Sequence, residues 1–145
     1  MGPVSPGAQL SQNHWSIYLL VVEGGSVRLN IEADTGPGED WGVFKISRHL
    51  YELTVSNVRY WDFPVASSIA VGKILALIWD KKRHRYRMNS TGVGCRYWVL
   101  TIISDFVEAG YCDENAATTL AESIEFNYSR NQQPIALPMI AGTFY

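Results

Sequence analysis

An antiparallel sheet packed against two or three helices, an α+β domain, is the fold that three features of the sequence predict. The first third of the chain reads as strands, with a hairpin signal at Glu23-Gly24-Gly25-Ser26. Two later stretches, near 69–80 and 95–110, carry apolar residues at helical spacing. The 145 residues, 47% hydrophobic and 18% charged, suit one globular domain with a core of its own.

Residues 1–12 read as a loose polar leader and 13–145 as the single domain. The leader has no basic stretch followed by an apolar run, so it is not expected to be a signal peptide. Trp15 to Val22 is rich in β-branched and aromatic residues. In the next strand Val27, Leu29, Ile31 and Ala33 alternate with Arg28, Asn30 and Glu32. Residues 35–40 form a loop. Val43 to Ile46 and Tyr51 to Val55 read as two further strands, joined to the helical half by an aromatic-rich connection over 57–64.

Ser67 or Ser68 is placed to cap a helix over 69–80. Its residues Val71, Ile74, Leu75, Leu77 and Ile78 leave a narrow polar stripe, which predicts a well-buried helix. The basic run Lys81 to Arg87 complements the helix C-terminus and then alternates as a short strand. It reads as a solvated turn that keeps an edge strand soluble. The pattern Val99, Ile102, Ile103 and Phe106 defines the next helix, ended by Gly110. Asp113 is placed to cap a last helix over 114–126, and the apolar tail 134–145 to add an edge strand.

A net charge of −2 gives no ground for nucleic acid as a partner, and no apolar stretch is long enough for a membrane span. The two cysteines, Cys95 and Cys112, lie roughly 25 Å apart if helix separates them. That is too far for a disulfide, so a reduced, cytoplasmic setting is expected.

Cys95 follows Gly92-Val93-Gly94 at the start of a helix, where unpaired amides and the helix dipole favour a thiolate. His14 heads the first strand and is the candidate base. If the hairpin pairs His14 with Asp34, then Asp34, Glu32 and Asn30 share its face. Asp34 or Glu32 is then the expected residue to orient the imidazole. Arg96, beside the thiol, is the candidate carboxylate or phosphate clamp. Trp61 and Trp41, in loops, together with Tyr97 are candidate substrate contacts. No His, Cys or carboxylate spacing supports a metal, and no cofactor motif is present, so none is assigned.

His14-Trp15-Ser16-Ile17-Tyr18, early in the chain, and Gly94-Cys95-Arg96-Tyr97-Trp98-Val99, late in it, resemble the paired motifs of the circularly permuted papain-like proteins. The NlpC/P60-like and lecithin:retinol acyltransferase-like groups belong there. The resemblance covers about residues 13–110, with Gly94 standing where those families often carry Asn. It implies a permuted papain-like order, the His strand first and the Cys helix later. The segments Gly94 to Trp98 and Ala141 to Tyr145 also look like those of a fungal domain family of unknown function. That likeness implies a tailoring role in secondary metabolism.

Residues and resemblance together lead us to expect a small thiol-dependent hydrolase or acyl/amide transferase acting on a small-molecule or peptide-like carbonyl. The alternative is a non-thiol small-molecule binding protein, or a cofactor-independent isomerase or cyclase, using an aromatic pocket on the same fold.

Overall fold

The first hairpin forms as its alternation predicts. β1 (Ile17–Leu20) and β2 (Ser26–Ala33) pair antiparallel, with Ile17 opposite Leu29 and Leu19 opposite Val27. The computed structural model describes residues 14–22, 24–33, 41–51, 59–65, 69–89, 94–129 and 132–145. At the turn, Gly24 and Gly25 both take positive φ. A Cβ on Gly25 would stand 2.4 Å from the His49 carbonyl oxygen. β3 (Gly42–His49) pairs along the whole length of β2, giving a three-stranded sheet in the order β1-β2-β3. It is longer than the predicted strand over 43–46. The strand expected over 51–55 falls beyond Tyr51, outside the described residues.

The register runs two residues off the expected one. Continued outward, the β1–β2 ladder would set His14 opposite Glu32 rather than Asp34. An even slip preserves the parity of a pleated strand, so His14, Asn30 and Glu32 stay on one face. Val27, Leu29 and Ile31 fill the other face and form the floor of the core.

α1 (Val71–Asp80) departs from expectation. It starts at Ala70 without a side-chain cap, and Ser67 and Ser68 lie outside the described residues. Ile74 and Ile78, one helical turn apart, enter the core, whereas Trp79 is 55% exposed. One stripe of the helix is therefore buried, where the apolar count predicted most of its surface.

The basic run after α1 is structural. The Arg83 guanidinium forks onto Asp105 at 2.7 and 3.2 Å, and Lys81 reaches Glu108 at 3.1 Å. Arg83 also lies over Phe144, Arg85 over Tyr145 and Arg87 over Trp41. β4 (Tyr86–Arg87) then pairs with β7 (Thr143–Phe144).

α2 (Cys95–Glu108) is the central helix. Trp98, Val99, Ile102, Ile103 and Phe106 are buried, and the Trp98 indole N–H donates to the Arg83 carbonyl at 2.8 Å. α3 (Asn115–Ser123) adds Ala116 and Leu120 to the core. Asp113 accepts the Asn115 amide at 3.0 Å, close to the predicted cap. The last helix stops before Phe126, however. β5 (Phe126–Ser129) and β6 (Gln132–Ala136) form a second hairpin, so the expected helix end is a strand and the tail supplies two strands rather than one. The whole is α+β, with small antiparallel sheets and three helices among the described residues. Among those residues no helix is long and apolar enough to cross a membrane.

Candidate active site

The start of α2 is held by a buried phenol. Tyr86 donates its hydroxyl to the Gly94 carbonyl at 2.7 Å and accepts the Gly142 amide at 2.8 Å. Burial pushes this phenol up to about 12, so it remains a donor across the working pH range. Gly94 takes φ 143°, and a Cβ there would lie 2.9 Å from the Tyr86 oxygen and 3.3 Å from the Gly142 nitrogen. Close packing and a positive φ thus explain glycine before Cys95. Tyr86→Phe leaves the half-buried Gly142 amide without its acceptor and the Gly94 carbonyl without its donor. The expected loss is about 1–3 kcal/mol of stability, read by urea unfolding; a loss near zero would mean that the segment shifts to find another acceptor.

Cys95 is the first residue of α2 and half-buried. Burial alone raises its thiol pKa. The hydrogen bond and charge of His14, the Trp15 main-chain amide and the charge of Arg96 outweigh that, and the net shift is downward. At Cys112, burial acts alone and pushes the thiol up. The two free thiols are therefore driven in opposite directions.

His14 answers Cys95. Their hydrogen bond is the largest influence on the imidazole. It overcomes the opposing effect of burial, so the imidazolium is favoured beyond its usual range. Nε2 donates to Asn30 Oδ1 at 2.5 Å, which leaves Nδ1 for the thiol. Asn30 is 2% exposed, and its Nδ2 donates to Glu32 Oε1 at 2.7 Å. Glu32 in turn accepts Lys45 of β3 at 2.6 Å, and that bond chiefly holds its carboxyl below the usual range. A carboxylate only accepts, so Glu32 fixes the Asn30 amide with its oxygen toward His14.

The order Cys95, His14, Asn30, Glu32, Lys45 revises the expected site. Asn30 is the residue in contact with His14. Glu32 stands one residue further out, acting through Asn30, and Asp34 lies outside the described residues. Asn30 was legible as a polar residue in a strand flanked by Leu29 and Ile31, on the face of His14.

Arg96 does not serve as the expected clamp. It is 4% exposed, and its guanidinium donates to the carbonyls of Ile124, Leu137 and Pro138 at 2.6–2.7 Å. Three of its five N–H donors go to the chain that flanks the second hairpin.

The expected aromatic contacts divide. Trp61 stacks on Trp15 with ring centroids 5.1 Å apart, and Tyr128 meets both rings edge-on. Trp41 and Tyr97 belong elsewhere. Trp41 meets Tyr145 at 5.0 Å, and Tyr97, two helix positions beyond Cys95, packs toward Phe144. Both rings pack against the C-terminal residues Tyr145 and Phe144 rather than joining the Trp15–Trp61 stack. Arg59 and Tyr128, not anticipated from sequence, complete the aromatic cluster around Trp61. Among the described residues, no group of three or more His, Cys, Asp or Glu side chains is arranged to hold a metal ion.

No curated protein and no solved structure matches the chain significantly. A family model described as a domain of unknown function, DUF7770, matches residues 2–145. With nearly the whole chain inside that match, the protein belongs to the DUF7770 family.

Proposed function

We propose that the protein is a small thiol-dependent hydrolase or acyl/amide transferase with a papain-like arrangement in permuted order. The observation that carries this reading is the Cys95–His14–Asn30 relay, with thiol and imidazole shifted toward a thiolate–imidazolium pair. The Cys95 thiolate attacks a substrate carbonyl carbon and forms a C–S bond. Backbone amides at the start of α2 face the developing oxyanion. As the tetrahedral intermediate collapses, the bond to the leaving group breaks, and the His14 imidazolium gives that group its proton. Neutral His14 then takes a proton from water, or from an acceptor amine or alcohol. The resulting nucleophile displaces the thiolate from the thioester. Asn30 holds the ring in register throughout, and a reducing compartment such as the cytoplasm suits the chemistry.

Iodoacetamide labelling of native protein across pH, with the modified cysteine located by mass spectrometry, tests this. The thiol pKa is lowered and the imidazole pKa raised, so both shifts favour the ion pair between the two macroscopic steps. Cys95 labelling is expected to rise with a midpoint below the ordinary thiol value of about 8.5, well ahead of Cys112. Turnover, which needs the imidazolium as acid, is expected to fall again through the upper step. If Cys95 stays inert until the protein unfolds, the thiol mechanism is wrong and a non-thiol binding or isomerase role replaces it.

A further inference from the structure

Beside the relay lies a cluster that the thiol chemistry leaves unused. The main-chain amide of Trp15 lies against the Cys95 sulfur, and the Trp15 ring stacks on Trp61. Tyr128 meets both rings edge-on, and the Arg59 guanidinium lies over Trp61 at 5.4 Å and over Tyr128 at 5.0 Å. Among the described residues, two kinds of donor here have no acceptor. The Trp15 Nε1 atom is buried without a hydrogen-bond partner, a state that buried polar groups seldom keep. Arg59 is exposed, and no ion pair among the described residues includes it.

These features are complementary. Ring faces accept a flat apolar body, and a guanidinium lying on them keeps its in-plane N–H edge free to fork onto a carboxylate. In the basic run Lys81 and Arg83 are engaged by Glu108 and Asp105, Arg85 lies over Tyr145 and Arg87 over Trp41. Arg59 is the cation placed on the aromatic cluster that Trp15 links to Cys95.

Resting on the thiol reading above, we propose that the acyl group delivered to Cys95 is flat and anionic. Its aromatic or conjugated body packs on Trp15, Trp61 and Tyr128, and its carboxylate pairs with Arg59. Arg59 is then a specificity-determining residue of the site.

Two alkylating probes of one shape test it: N-(4-carboxyphenyl)iodoacetamide and its neutral 4-carbamoyl analogue. The rate of Cys95 modification by each is measured on native protein and divided by that protein's own rate with plain iodoacetamide. Wild type is expected to favour the carboxylate probe about tenfold, the scale of one hydrogen-bonded charge contact. Arg59→Gln removes the preference and Arg59→Lys keeps part of it; the exposed position leaves the core untouched. Equal rates in wild type, or a preference that survives in Arg59→Gln, overturn the carboxylate subsite while fast plain labelling leaves the thiol reading standing. Failure of plain iodoacetamide to modify Cys95 in native protein overturns both.

Discussion

Replacing His14 by Ala is expected to slow alkylation of native Cys95 about tenfold near neutral pH and to move its midpoint upward. Burial already pushes this thiol up, and His14 supplies the strongest opposing influences, a hydrogen bond and a positive charge. Without them the half-buried sulfur loses thiolate. The greater nucleophilicity of a more basic thiolate recovers part of the lost rate. Cys112 is the internal control, since burial alone sets its direction and its labelling should not change. Asn30→Leu should fall between wild type and His14→Ala, because the imidazole remains but loses its Nε2 acceptor. A midpoint unmoved in His14→Ala would mean that the thiol ionises without the imidazole, and the proposed relay would fail.

Arg96→Leu is expected to produce the largest stability loss of any single change at the site, about 2–4 kcal/mol by urea unfolding at constant m. The guanidinium is a hub for three carbonyls, those of Ile124, Leu137 and Pro138, which come from two sides of the second hairpin. A leucine fills part of the volume and leaves these acceptors unpaired in a mostly buried place. The same change removes one of the charges that lower the Cys95 thiol, so its labelling midpoint should rise as well. A loss below about 1 kcal/mol would show that water satisfies the three carbonyls and that Arg96 is dispensable to the fold.

The sequence went furthest where a local rule decided the outcome. The first hairpin, the apolar face of α2 and the glycine-preceded thiol followed from alternation, periodicity and backbone chemistry. That His14 faces Cys95 was expected only from the resemblance to permuted papain-like proteins, because the linear chain does not show whether two distant side chains meet. The third residue was not. Parity put Asn30, Glu32 and Asp34 on one face, and chemical preference favoured an acid. Glu32 is claimed by Lys45 of β3, a partner set by strand pairing and invisible in a linear chain. Arg96 was read as a clamp for an anion, whereas its partners are carbonyls about thirty and forty residues away, which no local pattern reveals. α1 was over-read because apolar count says nothing of which face meets the core. The strand Phe126–Ser129 was missed: the expected helix took in Phe126 and no element was assigned to 127–129, although Phe126 and Tyr128 favour a pleated surface.

The clasp of Tyr86 between Gly94 and Gly142 has a consequence for synthesis. The helix that begins with Cys95 is emitted well before residue 142, and Arg96 meets its last carbonyl acceptor only at Pro138. A ribosome-bound chain halted short of these residues carries His14 and Cys95 but lacks the final tether of the helix start. Such long-range contacts form late in folding. On the proposed mechanism, the thiol of a growing chain is chemically ordinary, and it gains its reactivity once the closing segment has docked.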